Sequence, residues 1–213
     1  MICISNQAEE NLKAFHPSLK NVCTIYNGVD VQKFYDAKPL EYIRSEKTTV
    51  VMVAGFRYQK DQDTLIKSFS HLDENRFELW LVGNGERRPE LECLIKELNL
   101  ESTVKLMGIR ADIPEVLQSA DIVVMSSHFE GLSLSNVEGM SVGKPFIASD
   151  VDGLREVVSG YGLLFPHGDD KELASIIKRL AEDKDFYKQI ADKCWERAQM
   201  YDIKKMVDSY NDL

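Results

Sequence analysis

The sequence predicts an α/β protein in which a doubly wound, Rossmann-like parallel sheet is followed by extra C-terminal helices. Between residues 48 and 165, short, largely apolar runs alternate with segments whose apolar residues recur at spacings of three and four. The first pattern is typical of strands buried on both faces, and the second of helices that pack by one face. Their alternation indicates parallel strands joined by right-handed helical crossovers, with helices on both faces of the sheet.

The strands and helices of this sheet follow one another in chain order. The predicted strands are residues 49–55, 77–82, 104–107, 121–125, 145–148 and 163–165. The predicted helices are residues 61–72, 86–98, 113–118, a short helix that includes Glu138, residues 153–158, and helical sequence from Lys171 to the end. With 213 residues, the chain is long enough for one such domain plus further pieces.

The first 47 residues differ from this pattern. Residues 2–4 and 22–26 are apolar runs typical of short strands, and a helix is predicted after Ser5 and Asn6, which are good capping residues. Residues 28–47 are polar, contain a proline and show no clear period, so we predict a linker there.

Composition excludes several classes of function. A net charge of -9 and a pI near 5.0 argue against nucleic acid or an anionic membrane as a partner. The start of the chain lacks a signal-peptide pattern, and the longest apolar run, residues 50–56, is far below a membrane span. We therefore expect a cytoplasmic protein.

Cysteine and histidine residues are scattered along the sequence. The four cysteines form no CxxC pair and are expected to be reduced thiols. The four histidines are equally dispersed, so a zinc site is not expected.

Two carboxylates stand out in residues 128–152. Glu130 is predicted in the loop after the strand 121–125, and Glu138 in the first turns of the next helix, with both facing one crevice. Carboxylates accept hydrogen bonds from the paired hydroxyls of sugars, and Gly131 allows a close backbone approach to a ligand. Free amides from Leu132 to Ser135 at a helix start favour a diphosphate. The alternative is that Glu130 only caps the helix from just outside it and that Glu138 is a solvated helical residue.

This segment resembles the signature of the retaining, nucleotide-sugar-dependent glycosyltransferases of group 1, which have the GT-B fold and include family 4. The shared features are Phe-Glu-Gly-Leu at residues 129–132, a second Glu eight positions after the first, Gly-Lys-Pro at 143–145, Ala-Ser-Asp at 148–150 and DGLREVV at 152–158. The resemblance implies that Glu130 contacts the donor sugar near the reacting carbon and that Glu138 binds the ribose. The amides of Leu132, Ser133 and Leu134 would then bind the diphosphate beside Gly131.

Basic residues follow the strand 49–55. Arg57 and Lys60 can neutralise a diphosphate, with two solvated loop cations as the alternative. In the family that the sequence resembles, a Gly-Arg pair is followed five residues later by a Lys. Lys60 matches this Lys, whereas the position of the Arg holds Gly55, and Arg57 lies two residues later.

Two further loops are weaker candidates. Gly83 and Gly85 form a Gly-x-Gly after a strand, but the third glycine of a dinucleotide motif is replaced by Arg88, so a tight turn is the favoured interpretation. The resemblance places Gly83 beside the donor. It also implies that the backbone at Ile109 and Arg110 lies against the nucleotide base.

The resemblance also implies a domain division. Residues 1–45 would be the tail of an amino-terminal acceptor domain plus linker, residues 46–200 the donor-binding domain, and residues 201–213 a crossover helix. An acceptor-binding domain or a separate chain that supplies it would be the main partner, and the apolar face of the last helix could otherwise support self-association.

The implied reaction is transfer of a sugar from a nucleoside diphosphate to an acceptor hydroxyl, with retention at the anomeric carbon and without a metal ion or cofactor. Asp61, Gln62 and Asp63 begin a helix and are interpreted as a cap, not as metal ligands. Two alternatives remain open. One is a non-catalytic module that binds nucleotides or nucleotide sugars, and the other is a sugar-nucleotide epimerase of the same fold, whose motif spacing fits less well.

Overall fold

In the computed structural model, six parallel strands form a central sheet. The structure describes residues 1–43, 45–131 and 133–213. In chain order, these strands are β3 (Thr48–Val53), β4 (Phe77–Val82), β5 (Val104–Gly108), β6 (Ile122–Met125), β7 (Phe146–Ser149) and β8 (Leu163–Phe165). Two more, β1 (Ile2–Cys3) and β2 (Cys23–Thr24), pair in a separate small parallel sheet.

The helices surround the sheet and continue past it. They are α1 (Asn6–Phe15), α2 (Val31–Tyr35), α3 (Gln62–Phe69), α4 (Arg88–Glu97), α5 (Ile113–Ser119), α6 (Leu134–Ser141), α7 (Asp152–Val158), α8 (Asp170–Glu182), α9 (Lys184–Gln199) and α10 (Ile203–Asn211). The predicted α/β fold class with extra C-terminal helices is confirmed.

The strand order is β5-β4-β3-β6-β7-β8, so the direction in which successive strands are added to the sheet reverses once. From β3 the chain moves outward to β4 and β5, then returns to place β6 on the other side of β3. The boundary between β3 and β6 is therefore the topological switch point, where the carboxyl ends of the strands open a crevice.

Burial explains why the strands could be predicted. All six residues of β4 are buried, as are all four of β6 and all four of β7. Since helices cover both faces of the sheet, both faces of these strands need mostly apolar residues, and nearly continuous apolar runs result. The buried Glu78 of β4 is a charged exception, and its carboxylate pairs with Lys105 at 2.7 Å.

The predicted linker, residues 28–47, contains a short helix that its sequence pattern does not indicate. Helix α2 lies within it, and the Asp30 side chain accepts a 3.1 Å hydrogen bond from the amide of Lys33 at its start. Val31 and Phe34 are buried in the core. Five residues are too few to show a helical period, and so short a helix depends on tertiary burial more than on its own propensity.

Helix ends shift by a few residues from the predicted bounds. Helix α3 ends at Phe69, not at residue 72, because the amides of Ser70 and His71 bond to carbonyls three residues earlier. This pattern tightens the chain into a turn.

The end of the chain returns to residues near its start. Val29 and Asp202 form a parallel bridge, in which the amide of Ile203 donates to the Val29 carbonyl at 2.9 Å. Helix α10 leaves Ile203, Val207 and Tyr210 exposed. The domain boundaries at residues 45 and 200 remain predictions. A search of the described residues finds no helix long and apolar enough to cross a membrane.

Candidate functional site

Lys60 and Glu130 meet at the switch point of the sheet. Lys60 lies in the loop after β3, and Glu130 in the loop after β6, the neighbouring strand. The Lys60 Nζ forms an ion pair with Glu130 Oε1. Seventy residues of sequence separate the two side chains, and the parallel sheet brings them together because carboxyl ends of adjacent parallel strands share one edge.

The Glu130 carboxylate is surrounded by donors. The Ser127 hydroxyl donates to Oε1 at 2.8 Å, and the Gln59 amide lies 3.4 Å from Oε2. The same amide donates to the Phe129 carbonyl at 3.0 Å, which fixes the backbone next to Glu130. Only 7% of the Glu130 side chain is exposed. The carboxylate is therefore held in one orientation at the edge of the crevice.

A cavity of about 420 Å³ opens beside Glu130. Its walls are His128, Phe129 and Glu130 on one side and Asp150, Val151, Asp152 and Arg155 on the other. Arg155 is not a free cation, because its guanidinium pairs with Asp150 at 2.5 Å and with Asp152 at 2.9 Å.

Two glycines shape this loop in different ways. A Cβ on Gly153 would lie 2.1 Å from the carbonyl oxygen of Glu130, so the Glu130 loop rests directly on the start of α7. Gly153 lies in the DGLREVV segment that resembles the family signature, but it is not among the predicted site residues. A Cβ on Gly131 would meet no described atom within 4 Å. The fold itself therefore leaves open space at Gly131.

Glu138 lies in the second turn of α6 and is half-buried. Burial raises the pKa of this carboxyl, and the nearby Lys33 of α2 partly offsets the effect. Within the described part of the chain, no side chain or amide hydrogen-bonds to it, and no hydrogen bond or ion pair joins it to Glu130 or Lys60. That Glu130 and Glu138 face one crevice stays a prediction.

Arg57 is exposed, with no ion pair among the described residues, and its Nε lies 3.9 Å from the position that a Cβ on Gly55 would take. The Arg57 side chain thus folds back over the residue where the family pattern has its Arg. Its role as a diphosphate ligand remains a prediction, as does that of Lys60.

Gly83 and Gly85 are explained by packing between loops. Gly83 has a φ of +141°, and its Cβ would lie 2.1 Å from the Ala54 carbonyl oxygen, while that of Gly85 would lie 2.4 Å from the Phe56 carbonyl oxygen. These contacts agree with the interpretation as a tight turn. A donor contact by Gly83 stays a prediction.

Ile109 and Arg110 lie farther from Glu130, after the edge strand β5. Ile109 is 81% exposed, whereas Arg110 binds Asp112 at 2.5 Å and the Tyr42 hydroxyl at 2.8 Å. With a strand spacing of about 4.8 Å, β5 and β6 are roughly 14 Å apart. If Ile109 and Arg110 contact the same ligand as Glu130, they therefore contact its opposite end.

The amino end of α6 begins immediately after the Glu130 loop. Ser133 is its N-cap residue and makes no side-chain cap hydrogen bond, and Leu134 is 40% exposed. Leu132 lies outside the described residues. An uncapped helix start next to Lys60 and Glu130 suits the predicted anion contact.

The four histidines are dispersed along the sequence, as stated above, but two of them lie together in the structure. His128 and His167, 39 residues apart, place their ring nitrogens 2.5 Å from each other, next to the buried Asp61. Asp61 does cap α3, as predicted, by accepting from the amide of Thr64 at 3.3 Å. Asp63 pairs with Arg87 at 2.6 Å.

Comparison with known proteins agrees with this architecture. The profile of the family described as glycosyl transferases group 1 matches residues 36–197. An uncharacterized glycosyltransferase of Methanocaldococcus jannaschii is 29% identical over 97% of this chain and 56% of its own length. An Escherichia coli UDP-Gal:alpha-D-GlcNAc-diphosphoundecaprenol alpha-1,3-galactosyltransferase is 26% identical over 100% and 59%.

Solved structures give the same result. Anabaena HepE in complex with UDP is 27% identical, with a TM-score of 0.88 over 100% of this chain and 63% of HepE. HepE in complex with UDP-glucose gives a TM-score of 0.87 at the same identity and coverage. The chain spans about 60% of the length of these relatives.

Proposed function

The chain belongs to the glycosyl transferases of group 1, and from that premise we propose that it forms the donor-binding half of a glycosyltransferase. The reaction is transfer of a sugar from a nucleoside diphosphate to an acceptor hydroxyl, with retention at the anomeric carbon. An amino-terminal domain, or a chain that supplies one, binds the acceptor.

The observation that best supports this proposal is the ion pair between Lys60 and Glu130 at the switch point. A nucleotide sugar carries phosphate oxygens, which a Lys binds, and sugar hydroxyls, which a carboxylate binds. The pair therefore supplies both kinds of contact side by side. When the donor enters, its phosphates replace Glu130 at Lys60, and its sugar hydroxyls replace Lys60 at Glu130.

Each remaining residue has a role along the donor. Arg57 and the amides of residues 132–134 stabilise the diphosphate as it departs, since fixed positive groups lower the energy of developing negative charge. Glu138, half-buried and without a donor partner among the described residues, accepts hydrogen bonds from the ribose hydroxyls. These contacts require no metal ion or cofactor.

Uridine is the base to test first. HepE binds UDP and UDP-glucose, as its structures show, and the Escherichia coli relative is named for UDP-Gal. We propose a UDP-sugar donor for this chain on that similarity.

Calorimetry of the chain with UDP, GDP, ADP and UDP-glucose, in EDTA, tests the proposal. UDP is expected to bind, and Glu138→Ala to weaken it by about 1–3 kcal/mol, the range for a lost hydrogen bond that leaves its partner unsatisfied. Glu130→Ala is expected to weaken UDP-glucose while it leaves UDP nearly unchanged. Glu172→Ala, at an exposed Glu of α8, is the matched control.

Equal effects of both variants on both ligands would contradict the assignment of ribose to Glu138 and sugar to Glu130. Binding of UDP-glucose with no sugar transfer by the protein joined to its acceptor domain would favour the non-catalytic module.

A further inference from the structure

Three metal-ligating side chains meet beside the candidate site, and each comes from a different loop at the carboxyl edge of the sheet. Asp61 follows β3, His128 follows β6, and His167 follows β8. His128 Nδ1 lies 2.5 Å from His167 Nε2 and 3.6 Å from Asp61 Oδ2, and His167 Nε2 lies 3.9 Å from the same oxygen.

We propose that Asp61, His128 and His167 bind a divalent transition-metal ion, with zinc as the best match. The three separations define a triangle whose corners all lie about 2.0 Å from a single point, which equals the usual length of zinc bonds to imidazole nitrogen and carboxylate oxygen. The two rings need to part by less than about 1 Å to give the nitrogen–zinc–nitrogen angle of a tetrahedral site.

The ligand types select the class of ion. Two imidazoles and one carboxylate suit zinc, cobalt or nickel, whereas magnesium and calcium prefer sites made only of oxygen ligands. Three protein ligands also leave a fourth position for water, as in zinc sites that are not fully closed.

The ligands are already held in place by their neighbours. Asp61 is 3% exposed, and the Thr64 hydroxyl donates to its Oδ2 at 2.7 Å, the kind of outer contact that orients a metal ligand. The His128 amide donates to the Gln59 carbonyl at 2.8 Å, and the Tyr58 ring lies 4.5 Å from the His128 ring. The His167 side chain is 41% exposed, which gives an ion a route from solvent.

A bound ion would join two loops of the donor site, those after β3 and β6, to the loop after β8. Lys60 directly precedes Asp61, and Glu130 lies two residues after His128. The ion therefore acts as a structural clamp on this edge. Its binding is independent of the proposed donor contacts, so the two proposals can fail separately.

Zinc binding by the untagged, chelator-treated chain tests the proposal. We expect one zinc ion per chain by calorimetry, and an affinity at least about tenfold lower in His167→Ala and in His128→Ala, the scale seen when even outer ligands are lost. His71→Ala is the matched control, since His71 pairs with Asp170 at 2.8 Å but belongs to no three-ligand group in the described chain. His71→Ala is expected to bind zinc like the unmodified chain.

Cobalt substitution identifies the ligands, because the chain also has four free cysteines. Visible absorption of four-coordinate cobalt without thiolate charge-transfer bands, lost in His167→Ala, is expected. Thiolate bands, unchanged zinc affinity in His167→Ala, or no zinc binding would each overturn the proposal, the last leaving only a proton shared between the two rings. The circular dichroism spectrum and thermal melt of His167→Ala in EDTA, expected to match those of the unmodified chain in EDTA, show that this variant is folded.

Discussion

Glu138, the proposed ribose ligand, lowers the stability of the folded state when it is ionised. Its carboxyl is half-buried on α6, and burial raises its pKa above the ordinary value of 4.5, with Lys33 as a partial offset. A carboxyl whose pKa is raised by folding favours the folded state below the unfolded pKa and loses that effect as the pH rises through the folded pKa. At neutral pH the ionised group therefore opposes folding.

Replacement of this carboxyl by a neutral amide should stabilise the fold. Glu138→Gln is expected to raise the melting temperature at pH 7, and the difference should shrink as the pH falls towards 4.5, where the native carboxyl becomes protonated. Thermal melts across that range measure the effect, with Glu172→Gln on α8 as the exposed control. A Glu138→Gln protein less stable than the unmodified chain at pH 7 would show that a stabilising contact of the carboxylate had been missed.

The candidate site residues can be predicted mainly from the resemblance to the family signature, and less from the chemistry of the individual side chains. The sequence predicts both Glu130 and Lys60 as site residues, but no spacing along the chain indicates that they form an ion pair. Their contact depends on which strands are neighbours, and that is a property of the sheet. The same reason explains why Asp61, His128 and His167 were not recognised as a group.

At the scale of the elements, glycines decide where helices and loops can approach the sheet. A Cβ on Gly139 of α6 would lie 2.6 Å from the Phe146 ring of β7 and 2.9 Å from the Val123 side chain of β6. Phe146 is fully buried, and Val123 is 3% exposed. Helix α6, which bears Glu138, therefore rests on the strands through a residue without a side chain.

Gly139→Ala and Gly131→Ala should differ sharply. The first overpacks a buried contact and is expected to destabilise the protein by about 1–3 kcal/mol. The second adds a methyl group where no described atom lies within 4 Å, so the melting temperature should stay unchanged while affinity for UDP-glucose falls.

Thermal melts and calorimetry on both variants measure these effects. An unchanged melting temperature for Gly139→Ala would contradict the close packing of α6 on the sheet. Unchanged UDP-glucose affinity for Gly131→Ala would place the donor away from this loop.

The helices and strands differ in how well their bounds can be predicted from the sequence. The predicted bounds of strand β4, Phe77–Val82, match the observed ones, because burial on both faces favours apolar residues at nearly every position, with Glu78 as the exception. Helix α2 was missed because Val31 and Phe34, its buried residues, are too few to form a pattern. Its stability comes from contacts with residues distant in sequence, which include the Gln118 side chain that donates to the Phe34 carbonyl at 3.0 Å.

At the scale of the whole molecule, the two edges of the sheet differ. The carboxyl edge holds Lys60, Glu130 and the histidine cluster, whereas the amino edge has a cavity of about 330 Å³ whose lining includes Lys47, Lys184 and Tyr187. The presence of cations and of a cavity would by itself allow a donor site at either edge. The switch point between β3 and β6 and the Lys60–Glu130 pair favour the carboxyl edge.

The most direct test of this account is a map of the amide chemical shifts that UDP changes in the labelled chain, in EDTA. We predict that the changes concentrate after β3 and β6, at residues 57–60 and 130–138, and extend to the ends of β4 and β5. Changes confined to residues 45–48 and 180–187 at the amino edge, or no changes at all, would contradict the placement of the donor at the carboxyl edge.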